Sequence, residues 1–416
     1  MTGREDTAAN PQDVVVTGYG VFTAFGFGAE ALRDGVFAGR SAFGPVTRFD
    51  PAPFHASYAA EYTGKGPEVP GVTIGPGTTP GQVEVLLACT RAALEMAGTD
   101  GSGAAVLIGT NGDHSTGRDF WAAQQAGRSP DELRSLDSLA GRIPQRIAEE
   151  LGLGMPRLAF VNACVAATNA IAHAAQLISS GAATTVVCGG ASMVTEDVFA
   201  RFDSGQAMTR DAEPRPFSAD RAGLLQGDGA AVLVLESAQA ARARGAESLG
   251  RVVGWGMASD AFQVVQPHPQ GAGLAAAAHT ALRRAGVGPQ DIGYVNAHGT
   301  GTALNDSAET TALHTVLGDH APHVPVSSTK SSTGHMLEAT GAVEAVITLL
   351  ALQDGVLPPT LGLREADPDC DLDYIPEGPR PAAITRALSL NAAFGGVNAA
   401  LVLERARPLD HKEPTP

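Results

Sequence analysis

The sequence predicts an α/β protein made of two similar halves. Short apolar strands alternate with helical segments along the chain, which is typical of parallel sheets covered by helices on both faces. The six residues that end at Glu236 read Ala-Val-Leu-Val-Leu-Glu, and those that end at Glu404 read Ala-Ala-Leu-Val-Leu-Glu. Each run follows a glycine-rich turn. We interpret this pair as an internal duplication, in which two sheets stack around shared central helices.

The first predicted half covers residues 13–249. Short β-branched or aliphatic runs that end at glycine or a polar residue indicate buried strands, and apolar residues at three- and four-residue spacing indicate helices. Stretches rich in proline, glycine and charged residues at 43–80 and 214–229 predict long loops. The elements expected in this half are strand 14–18, helices 28–39 and 83–97, strand 104–109, helix 139–151, a strand and helix around Cys164, and strands 184–190 and 230–236.

The pattern restarts at residue 250 and continues to 407. Strand 250–254 opens this half as strand 14–18 opens the first, since both are short β-branched runs that contain glycine. The polar segments 1–12 and 408–416 are predicted to be flexible tails. The further elements expected in this half are helix 274–285, strand 292–297, helices 306–317 and 341–352, and strands 387–391 and 399–404.

Composition narrows the classes of function. A hydrophobic content of 44% among 416 residues is ample for a large core. The 44 acidic against 28 basic residues give a net charge of −16, which argues against nucleic-acid binding. No apolar run reaches membrane-spanning length, and the polar start does not resemble a signal peptide. The four cysteines lack metal spacing, so we expect reduced thiols, a cytoplasmic protein and no metal.

The most informative stretch surrounds Cys164. An apolar lead-in reaches this cysteine, and a helix of small residues follows as far as Ser180. The helix is apolar nearly all round, which predicts that it is buried. A cysteine in its first turn meets unpaired N–H groups and the positive end of the helix dipole, and both favour the thiolate. We therefore expect a nucleophile, although a small core cysteine fits the same stretch.

Two glycine-marked loops each contain a histidine. The loop 296–302 places His298 directly after a predicted strand. The loop 328–341 combines His335 with Lys330, one of three lysines in the chain, and lacks the spacing of a phosphate-binding loop. His298 also fits a structural role in capping its loop, and Lys330 also fits a solvated surface charge. The surrounding residues are not typical of a surface, which favours a functional lysine.

One cysteine and two histidines at strand ends suit one kind of chemistry. A thiolate attacks a thioester and becomes acylated. Two neutral imidazoles donate hydrogen bonds to the carbonyl oxygen of a second thioester and stabilise the enolate formed when its carboxylate leaves as CO₂. The enolate carbon then attacks the acyl-cysteine. Backbone N–H groups at Cys164 and at Phe394, in the glycine-rich turn 391–398, would hold the oxyanion; a core aromatic in a tight turn also fits Phe394.

The three loops, in this order, resemble the Cys-His-His β-ketoacyl-acyl-carrier-protein synthases of the elongating type, which serve type II fatty-acid and polyketide synthesis. The resemblance covers nearly the whole chain, from 14–18 to 403–404, and includes 215–217, 227–229 and 341–344. It implies the thiolase fold, an α-β-α-β-α five-layer sandwich of duplicated halves that is usually dimeric. This fold agrees with the duplication inferred from the strands.

The resemblance also implies residue roles. Cys164 is the acyl-accepting nucleophile, and His298 and His335 are the decarboxylation pair. Lys330 and Glu344 support the His335 loop. No cofactor is implied beyond the phosphopantetheine of an acyl-carrier protein. The residues implied to contact substrate or phosphopantetheine, or to lie near the pocket floor, are Thr300, Thr302, Gly112, Phe199, Phe202, Ala392 and Ala393.

Phe394 is implied to be both a gate and part of the oxyanion hole, but its surroundings depart from the family. Ala392 and Ala393 precede it where the family usually has a Gly-Phe-Gly-Phe-like gate. Gln263 stands where a histidine is common, and Val265 where a phosphopantetheine-contacting threonine is common. These differences indicate a specialised pathway. Further departures from the family are Asn162, Val165 and Glu338.

The function expected is condensation of an acyl-cysteine with malonyl-acyl-carrier protein. Two alternatives stay open: a non-catalytic chain-length-factor-like partner, which typically lacks the cysteine, and an acyltransferase or hydrolase that does not decarboxylate. The expected partners are an acyl-carrier protein and either a second copy or a chain-length-factor-like sister. Because carrier proteins are acidic, Lys65, Arg201 and Arg210 are candidate docking residues.

Overall fold

The structure, a computed structural model, describes residues 12–75, 77–129 and 131–407. The predicted tails, 1–12 and 408–416, lie outside these residues except for residue 12. The strands are β1 (Val14–Thr23), β2 (Gly26–Phe27), β3 (Gly44–Pro45), β4 (Tyr58–Ala59), β5 (Ala105–Gly109), β6 (Arg157–Phe160), β7 (Thr185–Ser192), β8 (Gly229–Ser237), β9 (Gly250–Ser259), β10 (Tyr294–Asn296), β11 (Val326–Ser327), β12 (Val356–Leu357), β13 (Arg380–Pro381), β14 (Arg386–Ala393) and β15 (Val397–Arg405).

Helices cover these strands on several sides. The α-helices are α1 (Ala29–Leu32), α2 (Gln82–Ala97), α3 (His114–Gln125), α4 (Glu132–Ser135), α5 (Arg142–Leu151), α6 (Ala166–Ser179), α7 (Glu196–Ser204), α8 (Ala238–Ala243), α9 (Ala272–Ala285), α10 (Ala303–Leu317), α11 (Lys330–Thr333) and α12 (Thr340–Asp354). A π-helical turn spans Arg33–Phe37, and 3₁₀ turns span Leu136–Ser138, Ala163–Val165, Pro289–Asp291, Gly318–His323 and Leu337–Ala339.

Both halves have the same five-stranded topology. The strand order is β1-β8-β7-β5-β6 in the first half and β9-β15-β14-β10-β11 in the second. In each half the first three strands pair antiparallel, and the last three pair parallel. The sheets are therefore mixed, whereas the strand–helix alternation had predicted parallel ones. The turn Phe394–Gly396 joins β14 to β15 in three residues, and a connection that short joins only antiparallel strands.

The halves join through their equivalent first strands. Val15 and Val16 of β1 pair with Arg251 and Gly250 of β9, which makes one continuous sheet of eleven strands including β2. Helices α6 and α12 pack against each other and against strands of both halves. Helices α2 and α5 cover the outer face of the first half, and α9 and α10 cover that of the second. These are the five layers of the predicted thiolase fold.

The central helices are buried because they are apolar on every side. Nearly all of α12 is buried, and it contributes more side chains than any other element to the largest hydrophobic cluster. Gly341, near its start, lies against α6. A Cβ atom at this position would lie 1.9 Å from Oγ1 of Thr168, so only glycine permits this approach. The close contact brings the start of α12 beside the start of α6.

Most predicted elements are present, and several strands are longer than expected. Helices α3 and α7 were not predicted, because their sequences are polar and only two residues of each are buried. The Asp113 side chain caps α3 by accepting a hydrogen bond from the Ser115 N–H. Among the described residues, no helix is long and apolar enough to cross a bilayer.

Candidate active site

The candidate site forms where strand-end loops from both halves meet. Cys164 lies between β6 and α6, and Lys330 and His335 lie between β11 and α12. These two connections occupy equivalent positions in the duplicated topology. His298 follows β10, and Phe394 follows β14. The duplication therefore brings the sulfur and the imidazoles to one cavity, near the carboxyl ends of parallel strands.

The loop before α6 holds Cys164 in a strained turn. Ala163 has a φ of 54°, in the left-handed region that few non-glycine residues adopt, and Ala163–Val165 forms a 3₁₀ turn. Cys164 is only 5% exposed. Burial raises the pKa of its thiol to about 12, the charge of Glu338 adds to the increase, and Lys330 opposes it. Burial therefore opposes the thiolate that the start of the helix was expected to favour.

Hydrogen bonds fix the tautomer of His335. The backbone N–H of Leu337 donates to Nδ1 of His335 at 3.2 Å, and the Thr340 hydroxyl lies 3.1 Å from the same atom. Because Nδ1 accepts the Leu337 hydrogen, the proton of the neutral ring must be on Nε2. His335 is thus set up as a hydrogen-bond donor through Nε2.

His298 is held through its backbone. The N–H groups of His298 and Gly299 each donate to one oxygen of the Glu309 carboxylate, both at 2.7 Å. The imidazole itself is buried and meets the ring of His335 edge to face, with ring centroids 5.3 Å apart. Among the described residues, Nδ1 of His298 has no hydrogen-bond partner. The ring is therefore positioned by its loop and remains available to a ligand.

A buried polar network connects the loops. Nζ of Lys330 lies 2.5 Å from Oε1 of Glu344. The other Glu344 oxygen accepts a hydrogen bond from Nδ2 of Asn391 at 2.7 Å, and Oδ1 of Asn391 accepts one from the Thr168 hydroxyl at 2.5 Å. The network runs from the His335 loop through β14 to the helix that follows Cys164. It ties three separate segments of the site into one unit.

Charge and burial keep both imidazoles neutral. Burial lowers the pKa of His298 well below its usual value, and Lys330 and His335 lower it further. Burial followed by the Lys330 charge does the same for His335. Lys330 itself is 2% exposed, which rules out the alternative of a solvated surface charge. Neutral histidines donate hydrogen bonds without adding a charge, as the predicted enolate chemistry requires.

Two cavities meet at Cys164. The smaller has a volume of about 270 Å³, and the larger has a volume of about 550 Å³. Cys164, Phe202 and Phe394 line both of them. The smaller is also lined by Gly112 and Glu338, among others. The larger cavity is also lined by residues that the sequence analysis singled out: His298, His335, Thr300, Thr302, Ala392, Ala393 and Val265.

An aromatic pair lies between the cavities. The ring of Phe394 stacks on that of Phe202, with centroids 5.7 Å apart. Phe394 is 47% exposed and begins a turn in which Gly395 and Gly396 both have positive φ. The Gly395 N–H donates to the carbonyl of Val264 at 2.6 Å, which attaches the turn to the neighbouring loop. This exposed ring is not the core aromatic of the alternative interpretation.

Gly112 lines the smaller cavity, and its backbone lies against the turn Leu136–Ser138. Its φ is 90°, and a Cβ atom there would lie 2.2 Å from the carbonyl oxygen of Ser138. Phe199, which was placed near the pocket floor, is instead packed against Phe49 and Phe54 and lines neither cavity. Its position inside an aromatic cluster explains the difference.

The candidate docking residues differ in location. Arg201 lines both cavities, Arg210 lines a separate surface depression beside Asp203, and the exposed Lys65 lines neither cavity.

Sequence reasoning missed Asn391 and Thr168 as part of the site. The signal available for Asn391 was a polar amide inside a buried strand, which requires hydrogen-bond partners.

Across the described ranges 12–75, 77–129 and 131–407, no three potential ligands are arranged for a metal ion.

The comparisons with known proteins agree with this geometry. Residues 11–241 match the family described as beta-ketoacyl synthase, N-terminal domain, and residues 249–364 match beta-ketoacyl synthase, C-terminal domain. The chain is 34% identical to 3-oxoacyl-[acyl-carrier-protein] synthase 2 of Synechocystis sp., over 94% of this chain and 98% of the relative.

Two solved structures extend the comparison. The ishigamide ketosynthase/chain length factor matches with a TM-score of 0.84 and 34% identity, over 94% of this chain and 99% of that one. A type II polyketide ketosynthase, solved in complex with its acyl-carrier protein and bound to the hexaketide, matches with a TM-score of 0.85 and 25% identity, over 95% of this chain and 100% of that one.

Proposed function

This chain belongs to the β-ketoacyl synthase family, and on this basis we propose that it catalyses decarboxylative Claisen condensation of an acyl group on Cys164 with malonyl-acyl-carrier protein. The observation that supports this most directly is that Cys164, His298 and His335 line one cavity. An acyl-cysteine and an enolate that react with each other need such a shared space.

The first step is transfer of the acyl group. Sγ of Cys164 bonds to the thioester carbonyl carbon, the bond from that carbon to the carrier sulfur breaks, and the thiol proton passes to the departing sulfur. Because the pKa of Cys164 is raised to about 12, its proton leaves as the new bond forms rather than beforehand. The backbone N–H groups of Cys164 and Phe394 stabilise the tetrahedral oxyanion.

The second step uses the histidines. The malonyl thioester carbonyl oxygen accepts hydrogen bonds from His298 and from Nε2–H of His335. The bond to the free carboxylate breaks, CO₂ leaves, and the electron pair forms the enolate. Its carbon bonds to the acyl carbon, the bond to Sγ breaks, and Sγ takes up a proton from water. Each donor aimed at the oxyanion contributes about 3–4 kcal/mol to the barrier reduction.

Apart from the substrates and water, these steps use only side chains and backbone groups of this chain. We therefore propose no cofactor beyond the phosphopantetheine arm of the carrier, which would lie along Thr300 and Thr302 in the larger cavity. A type II polyketide or specialised fatty-acid pathway is the proposed setting. The named functions of the relatives and the unusual Ala392–Ala393 pair before Phe394 support this assignment.

We further propose that the protein pairs through the edge strand β6. Within the described chain, β6 pairs only with β5, whereas the equivalent strand β11 is covered by the loop that contains Asp373. Leu158 and Val161 at the edge of β6 are 37% and 57% exposed. An exposed apolar edge strand favours pairing with another chain, either a second copy or a chain-length-factor-like sister.

The experiment that tests the function is intact-protein mass spectrometry. The protein and its Cys164→Ala variant are incubated with acyl-carrier thioesters and then with malonyl-carrier. Condensation predicts a mass gain that is absent from the variant and is discharged by malonyl-carrier. Acylation without such discharge would support the non-decarboxylating acyltransferase, and no acylation from any donor would support the partner-subunit alternative.

A further inference from the structure

The loop that contains His335 also places a carboxyl group beside Cys164. Glu338 lies on the 3₁₀ turn Leu337–Ala339, directly before α12. His335 lines the larger cavity, and Glu338 lines the smaller one. The charge of Glu338 raises the pKa of Cys164 more than that of any other side chain. The carboxyl group is therefore close to the point at which an acyl chain would be attached.

The smaller cavity has a mainly apolar lining that includes a few polar residues besides Glu338. Its lining includes the side chains of Ser192, His114 and Arg201. Ser192 forms a hydrogen bond with Glu338. The cavity thus offers a carboxyl acceptor whose oxygens can accept further hydrogen bonds besides the one from Ser192.

Within residues 12–75, 77–129 and 131–407, no cationic side chain forms an ion pair with Glu338. Among the described ion pairs, Arg201 is matched with Asp197 at 3.4 Å rather than with Glu338. Burial raises the pKa of Glu338, and Arg201 lowers it only through a longer-range charge interaction. An unsubstituted alkyl chain would remove water from this carboxyl group and supply no hydrogen bond in return. A chain with its own donor would replace the lost water.

We infer that the smaller cavity selects acyl groups that bear a hydrogen-bond donor, a hydroxyl or an amino group close to the thioester, over unsubstituted alkyl chains of equal length, with Glu338 as the specificity-determining residue. This inference rests on the proposed role of Cys164 as acyl acceptor. The step concerned is thioester exchange, in which the Sγ–carbonyl bond forms, the donor C–S bond breaks and the thiol proton moves to the departing sulfur.

The test uses pantetheine thioesters of butyrate, 3-hydroxybutyrate and 3-aminobutyrate. The rate of Cys164 acylation is followed by intact mass at low thioester concentration. The donor-bearing thioesters are expected to react about tenfold faster than butyrate, since a hydrogen bond to a charged group has this effect on binding. In Glu338→Leu, the donor-bearing thioesters are expected to lose their advantage in acylation rate over butyrate or to react more slowly than it. Glu338→Gln is expected to retain the preference for the hydroxyl-bearing thioester only.

Controls separate the possible failures. Glu95→Gln changes an exposed carboxyl group on α2 and should leave the ratio unaltered. Equal or faster reaction of butyrate with the unmodified protein would overturn the inference, as would a donor preference that persists in Glu338→Leu. No mass gain from any thioester, while iodoacetamide still alkylates Cys164, would instead overturn the proposed function.

Discussion

Nζ of Lys330 lies 2.5 Å from Oε1 of Glu344 in a completely buried part of the protein. Glu344 also binds Asn391, which binds Thr168 on the helix that follows Cys164. The ion pair therefore connects the His335 loop to the nucleophile helix, and its positive member lowers the pKa of both histidines. It has a structural and an electrostatic role, which different substitutions can separate.

Lys330→Met tests the structural role. Removing one member of a buried ion pair leaves the other uncompensated, so we expect a loss of about 3–5 kcal/mol in the free energy of unfolding. Urea-induced unfolding measures this loss. Adding Glu344→Gln removes the stranded charge, and we expect the double variant to recover most of the stability but only part of the condensing activity. Equal instability of the single and double variants would contradict this account.

The electrostatic role predicts a change in pH dependence. The pKa of each histidine is lowered, so both rings are neutral near pH 6.5, and the rate of decarboxylation should not yet fall at that pH. In the Lys330→Met/Glu344→Gln variant the cation is absent and the pKa values of both histidines rise. The decrease in rate on acidification should therefore begin at a higher pH, closer to neutral. Malonyl-pantetheine decarboxylation between about pH 5 and 8 measures this shift. A decrease that begins at the same pH in both proteins would disprove the electrostatic role.

The two histidines should act after acylation. His298→Ala and His335→Ala each remove one donor to the enolate oxygen, so each should slow decarboxylation by about 10²–10³-fold. Formation of the acyl-Cys164 species needs neither donor and should remain within a few-fold of the unmodified rate. The two steps are measured separately, by CO₂ release and by intact mass. A variant that loses acylation as severely as decarboxylation would show that its histidine is not specific to the second step.

The raised pKa of Cys164 predicts slow alkylation at neutral pH. Because the thiolate is the reactive form and the pKa is about 12, the iodoacetamide rate should keep rising with pH and reach no plateau below about pH 9. Cys164→Ala provides the background from the other three cysteines, all of which are buried. A plateau near neutral pH would mean that the helix dipole prevails over burial, as the sequence had suggested.

The proposed pairing surface predicts a change in oligomeric state. Leu158→Arg places a charge at the apolar outer edge of β6 and should shift the protein towards monomer in sedimentation velocity. Met96→Lys is the control, because Met96 is also an apolar, exposed residue (48%) but lies on helix α2 rather than on the edge strand. A monomeric parent protein, or a Leu158→Arg variant that stays associated, would remove β6 from the proposal.

The hydrophobic pattern of the sequence correctly predicted several of the buried strands and helices. The near-identical runs that became β8 and β15 identified the duplication, and the apolar helix α6 was expected to be buried. Strand direction was not predictable in this way, because a fully buried strand has the same apolar pattern whether its neighbour is parallel or antiparallel. The polar helix α3 was missed for a related reason, since its stability depends on a cap and on packing rather than on periodicity.

The candidate site was predictable at the level of residue type and not at the level of geometry. Cys164, His298 and His335 were marked by glycine-rich strand-end loops. The bond between Thr168 and Asn391 joins residues 223 positions apart, which no local pattern indicates. The sequence reveals the helix start beside Cys164 but not the desolvation that raises the pKa of its thiol. Glu338 was noticed as unusual, but only the fold places it in the cavity beside the sulfur.

The most direct test of the central claim is a single-turnover measurement on preformed acyl-Cys164 enzyme. Malonyl-carrier labelled with ¹³C in its free carboxylate is added, and labelled CO₂, acyl-enzyme and carrier products are counted together. The account predicts one labelled CO₂ for each acyl-enzyme lost, and a carrier product in which the acyl chain is extended by the two carbons that malonate retains. Loss of the acyl group as free acid, or its transfer to the carrier without CO₂ release, would contradict it.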